Sequence, residues 1–162
     1  MILPVDLLPL FEWFEDTSVG VVIRESLWLF PVIECFHLLA LAMIGGNILV
    51  VDLRLLGLGM RGQTAAALAR SMHPWLVGGL AAMVATGVPM FLSEAIKCYY
   101  SPPFWYKMGF FVLALAFTFT VRKRFTAKAL ADRIPIQGKL IALVSLGLWF
   151  TVGFSGRWIA FY

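Results

Sequence analysis

The chain has 162 residues, 61% of them hydrophobic and 14% charged, with a net charge of +4 and a mean hydropathy of +0.89. Soluble domains average about 45–50% apolar and about a quarter charged, so this balance excludes a disordered chain or a disulfide scaffold, gives no nucleic-acid partner, and argues against a water-soluble enzyme. The length permits one compact unit, expected to be all-α: a polytopic membrane four-helix bundle with a short N-terminal interfacial helix.

Residues 1–26 read as an amphipathic segment lying on a membrane surface. Leu7, Leu8, Leu10, Phe11 and Phe14 supply its apolar side, and Asp6, Glu12, Glu15 and Asp16 its wet side. Pro4 and Pro9 limit its regularity. No basic region precedes an early apolar run, so no signal peptide is expected. Residues 27–162 carry four apolar runs, at about 27–51, 75–93, 104–121 and 140–160, each near the roughly 20 residues that a core of roughly 30 Å demands. The runs are continuous rather than alternating, and a single segment satisfies its own backbone in hydrocarbon only as a helix. Trp28, Phe30, Trp75, Trp105, Tyr106, Trp158 and Tyr162 mark their ends as interfacial aromatics do. Ahead of the second run, Thr64 offers an N-cap. The alanines at 65, 66, 67 and 69 then extend that helix or form a short one before Pro74.

Lys and Arg alternate with helix number. The loops after runs one and three hold nine of them: Arg54, Arg61, Arg70, Arg122, Lys123, Arg124, Lys128, Arg133 and Lys139. The other side holds four: Arg24, Lys97, Lys107 and Arg157. The positive-inside rule therefore places the basic loops in the cytoplasm and both termini outside, which in a bacterial inner membrane is the periplasm. The run Arg122-Lys123-Arg124 reads as a determinant of this topology, with a lipid-headgroup or partner site as the alternative. Neither basic loop contains a phosphate-binding, metal-type or nucleophile motif.

Polar groups inside a membrane are costly, so each is a candidate for function. At about 1.5 Å per residue, Glu34 lies roughly 9 Å and His37 roughly 13 Å below the outer edge, with Thr86 at a similar depth and Lys107 about 3 Å down. Glu34, His37, Leu41, Gly45, Ile48 and Asp52 share one helical face. Lys107, Phe111, Ala114 and Thr118 share another. A pocket walled by Glu34, His37, Thr86 and Lys107 follows.

Each of these residues has more than one reading. Glu34 and Lys107 are either a structural ion pair between runs one and three or a ligand- or proton-handling site. Glu34-x-x-His37 is half of a di-iron carboxylate motif, and the second half is missing. His37 is hydrogen-bonded within the bundle, or it is a metal ligand, the axial ligand of a b-type haem whose propionates meet Lys107 or Arg157. His73 lies roughly 15–20 Å from it along the membrane normal, too far for one haem to join both. Met90 is nearer in depth, and a His37 pair across a dimer is a further option. Asp52 and Arg54 are expected to pair with each other or with loop charges. Cys35 and Cys98 differ in depth, which disfavours a disulfide.

Several short motifs together carry a resemblance. They are Arg24-Glu25-Ser26-Leu27-Trp28-Leu29-Phe30-Pro31, then Glu34 and His37, and Val51-Asp52-Leu53-Arg54-Leu55-Leu56-Gly57. Ala85-Thr86-Gly87, the segment with Pro102, Phe104 and Lys107, and Gly156-Arg157-Trp158 complete the set. The whole resembles a family of small bacterial four-helix inner-membrane proteins of unknown function. The resemblance implies fold and compartment, sets Glu34, His37, Lys107 and Arg157 at motif positions, and implies no activity. More distantly, a membrane His before small residues, with Thr-Gly on the next helix, is similar to copper-resistance D-type proteins and haem-binding four-helix membrane oxidases. The chain departs from these in lacking a second histidine at the depth of His37.

The expected function is a membrane subunit that handles redox or a small ligand near the periplasmic face, holding a b-type haem or a quinone. The ligand-binding candidates are His37, Glu34, Thr86, Lys107, Met90 and Arg157. The alternatives are a non-catalytic accessory subunit docked on a larger membrane complex, and a transporter of copper, protons or a small solute. Expected partners are membrane lipids and either further copies of the chain or a larger complex.

Overall fold

A computed structural model describes residues 7–59, 62–128 and 135–161, the side chains of Lys128 and Ala160 apart. Pro4, Asp6, Arg61, Arg133 and Tyr162 fall outside the described residues. The described residues are mostly helical, with no strand among them: α1 Leu8–Glu15, α2 Ser18–Glu25, α3 Leu29–Leu56, α4 Ala65–Ser93, α5 Ala95–Tyr100 and α6 Pro102–Phe117. A π-helical turn, Thr118–Arg122, then leads into α7, Lys123–Lys128. The chain continues as α8, Ile136–Trp158, and a 3₁₀ turn, Ile159–Phe161. Four stretches are long and apolar enough to cross a membrane: Leu29–Leu56, Ala65–Ser93, Pro102–Ala127 and Ile136–Trp158.

The helix ends follow local chemistry. Thr64 caps α4 by accepting a hydrogen bond from Ala67 N at 3.2 Å, and α4 then runs without a break through Pro74 and Pro89. The alanine-rich start therefore belongs to the second long helix, which begins ten residues before the apolar run at 75. α3 stops at Gly57, whose φ of +80° is open to glycine at little cost. There Gly57 N donates to Arg54 O and Leu58 N to Leu53 O, the pair of hydrogen bonds that closes a helix C-terminus on a left-handed residue.

α3 packs along α4 and against α8, while the main partner of α6 is α8. One apolar core joins all four: Ala40, Ile44 and Ile48 from α3, Leu76 and Met83 from α4, Ala114 from α6, Trp149 and Val152 from α8. Close approach of α3 and α4 depends on Gly79, where an added Cβ would stand 2.8 Å from Ile44 Cγ1. Leu55, Ala65 and Ala142 make a smaller core at the end of the basic loops.

α1 and α2 cover the other end. Phe11 is buried among the rings of Phe14, Phe91, Tyr99 and Trp105, with centroids 5.2–6.4 Å away. Glu15, expected on the wet side, is turned inward instead. Its Oε2 accepts from Ile96 N at 2.6 Å, serving an open donor at the start of α5, and its Oε1 pairs with Arg24 at 3.1 Å.

Candidate functional site

His37 sits where α3 meets α4. Its Nδ1 lies 2.8 Å from Thr86 Oγ1, and Thr86 Oγ1 lies 2.7 Å from the carbonyl of Ala82 and 3.3 Å from that of Met83. A hydroxyl has one hydrogen. Where Thr86 directs it back to its own helix, as threonine in a helix commonly does, its oxygen receives the proton of Nδ1. That assignment gives the Nδ1–H tautomer and makes Nε2 the acceptor nitrogen of the ring, on which the Met83 backbone also bears. Gly87 makes the contact possible, since an added Cβ would stand 3.1 Å from His37 Cε1.

The other residues expected in the pocket are not all brought together. Lys107, half-buried on α6, lies against Gly156, where an added Cβ would stand 3.5 Å from its Nζ. Its charge bears on the His37 ring, and among the described residues its ammonium has no hydrogen-bond or ion-pair partner. Glu34 is half-buried, and it too has no such partner among them. The Glu34–Lys107 ion pair is therefore not formed. The reason is topological: Lys107 follows α6 onto α8, whereas α3 packs on α4 and α8. Met90 is half-buried on α4, one turn beyond Thr86; its carbonyl accepts from Ser93 Oγ. Arg157 is exposed, 5.6 Å above the ring of Phe161, in a cleft of its own. A groove of about 370 Å³ runs along the α3–α4 seam, lined by Phe36, Leu39, Ala40 and Met43 on one side and Ala82, Ala85 and Thr86 on the other. Among the described residues no three His, Cys, Asp or Glu side chains gather where they could hold a bare metal ion. Cys35 and Cys98 are both free. Outside the long helices, burial and then Glu94 push the Cys98 thiol up to about 11.

A second polar cluster was not expected. Asp52 pairs with Arg122 at 2.7 Å, the side chains 0% and 7% exposed. Of the two expected partners the loop charge is the one found: Arg122, counted with the basic loop after run three, is carried inward to Asp52 by the π-helical turn, while Arg54 donates to Gln63 O at 2.7 Å. Arg122 Nη2 also lies 3.4 Å from Ile48 O. Ser145 faces the carboxylate, although Ser145 Oγ and Asp52 Oδ2 lack a hydrogen bond of good geometry. Nearby, Trp149 Nε1 donates to Thr118 Oγ1 at 3.1 Å. One signal for this pair lay in the pattern: Arg122 continues the stripe Lys107, Phe111, Ala114, Thr118 by one more turn.

Comparison with curated proteins and with solved structures finds no match. The model of a family of unknown function, DUF6644, matches residues 10–162, a span that takes in both polar clusters and all four long helices. The chain belongs to this family of unknown function.

Proposed function

We propose that the chain is a multi-pass protein of a bacterial inner membrane, with its basic loops in the cytoplasm and its termini in the periplasm, and that His37 holds a b-type haem. Arg54 and Arg122 are engaged inside the protein, yet the seven remaining basic residues of the loop side still outnumber the four opposite. The observation that carries the ligand reading is the 2.8 Å contact between His37 and Thr86. A histidine whose Nδ1–H is fixed by an acceptor presents Nε2 as a ready ligand, the arrangement usual behind metal-bound imidazole. With no group of three His, Cys, Asp or Glu side chains among the described residues to hold a bare ion, the fitting metal is one that arrives in its own macrocycle. Haem bound there would supply one-electron chemistry. Lys107, unpartnered and close enough to act on the ring, suits a haem carboxylate.

A quinone is the second reading, favoured by the apolar groove that shares Thr86 with the His37 contact. There Nε2 would accept from a quinol hydroxyl while the groove takes the tail. Transport has less support, because α3 buries Ile44 and Ile48 between His37 and Asp52. The test is the absorption spectrum of protein purified in detergent from haem-replete cells. A Soret band at one haem per chain, lost in His37→Ala with the protein still monodisperse, supports haem. A colourless, monodisperse wild type overturns it, and quinone in an organic extract of that sample then favours the second reading.

A further inference from the structure

On the outer face of α8, Phe150, Phe154 and Trp158 recur every fourth residue, so they form one stripe. Phe150 and Phe154 stack at 6.1 Å and 17°, and Phe154 meets Trp158 edge-on at 5.1 Å. All three rings are exposed. The stripe rises about 12 Å, close to the roughly 15 Å of one hydrocarbon leaflet. At its upper end Phe154, Arg157, Trp158 and Phe161 line a cleft of about 330 Å³. Arg157 is held there over Phe161 at 5.6 Å and has no carboxylate partner among the described residues. Two carboxylates of that end are already engaged, Glu15 with Arg24 and Glu94 with Lys97. The cleft therefore combines an unpaired guanidinium with an apolar track of leaflet depth.

We infer that this cleft binds one anionic phospholipid, its phosphate on Arg157 and an acyl chain along Phe154 and Phe150. The bidentate fork of arginine suits phosphate, and the exposed rings offer the chain apolar contact. Lys97, at the same end of the bundle but paired with Glu94, does not line this cleft and serves as the control. The inference rests on the membrane reading of the four helices but not on haem.

Native mass spectrometry of the protein released from nanodiscs of mixed phosphatidylglycerol and phosphatidylcholine tests it. One phosphatidylglycerol should be retained preferentially, and Arg157→Gln should cut that preference about fivefold, in line with a single basic residue at an anionic surface. Phe154→Ala should shorten lipid retention, Arg157→Lys should keep part of the preference, and Lys97→Gln should leave it unchanged. Equal retention of the two lipids, or a preference that survives Arg157→Gln, overturns the site. Carbonate extraction of cell membranes separates the two claims: a chain released by carbonate overturns the membrane reading, whereas a chain that stays with the membrane but shows no preference overturns the lipid site alone.

Discussion

His37 meets Thr86 through one ring nitrogen and keeps the other as an acceptor, whereas Asp52 meets Arg122 with almost nothing of either side chain at the surface. Both contacts tie α3 to a neighbour, and they differ in what remains unsatisfied. At the first, a neutral pair leaves an acceptor on His37 and an unpartnered ammonium on Lys107. At the second, opposite charges neutralise each other, and the atoms left without a hydrogen bond, Asp52 Oδ2 and Ser145 Oγ, are fully buried. A buried ion pair that loses one member leaves an uncompensated charge. A half-buried imidazole that loses its threonine keeps access to other partners. The second cluster holds helices together, and the first is the one to which the proposed function assigns a ligand.

The largest expected effect therefore falls on the ion pair. Asp52→Ala or Arg122→Ala should cost about 3–5 kcal/mol in thermal unfolding in detergent, and replacing both residues by leucine should recover most of it. If the single variants unfold like wild type, the contrast fails. Next comes Gly20→Ala, because an added Cβ would strike the backbone carbonyl of Leu92 and approach that of Glu15. It should cost about 1–3 kcal/mol and open the segment joining α1 to α2 to limited proteolysis. Thr86→Val should cost only about 1 kcal/mol of stability while weakening the ligand at His37 by about tenfold or more. An equal loss in both readouts would reduce that contact to packing. Glu34→Gln, with no partner to lose, should shift stability by less than about 0.5 kcal/mol.

The smallest effect concerns pH. The Cys98 thiol is raised from 9.0 to about 11 in the folded chain, so the folded state holds the proton that an unfolded chain releases first. Its contribution is complete below pH 9 and is lost as pH rises toward 11. At pH 8 the two-unit rise predicts maleimide labelling about 100-fold slower than for an unperturbed thiol. Labelling at the unperturbed rate, or a loss of stability above pH 9 that persists in Cys98→Ala, would contradict this.

Much of the architecture was legible because apolar runs of bilayer length need no tertiary information. Thr64 as a cap and the place of Glu34, His37 and Asp52 on one face followed from local rules. The proximity of His37 and Thr86 came from depth arithmetic, which works when helices stand roughly parallel. Partner choice was not legible in the same way. For Asp52 local rules offer either its neighbour Arg54 or a loop charge, and only the fold selects Arg122, 70 residues away. The π-helical turn that delivers Arg122 has no signature in composition. Glu15 looked like the wet side of a surface helix until α5 supplied an N-terminus for it to cap.

The most direct measurement is Soret absorbance per mole of folded protein, taken side by side for His37→Ala and Asp52→Asn. The two-site account predicts that His37→Ala loses the band and keeps its unfolding temperature within a few degrees of wild type. It predicts that Asp52→Asn keeps the band at low temperature and unfolds far earlier. A band intact in His37→Ala, or none in haem-replete wild type, would contradict it.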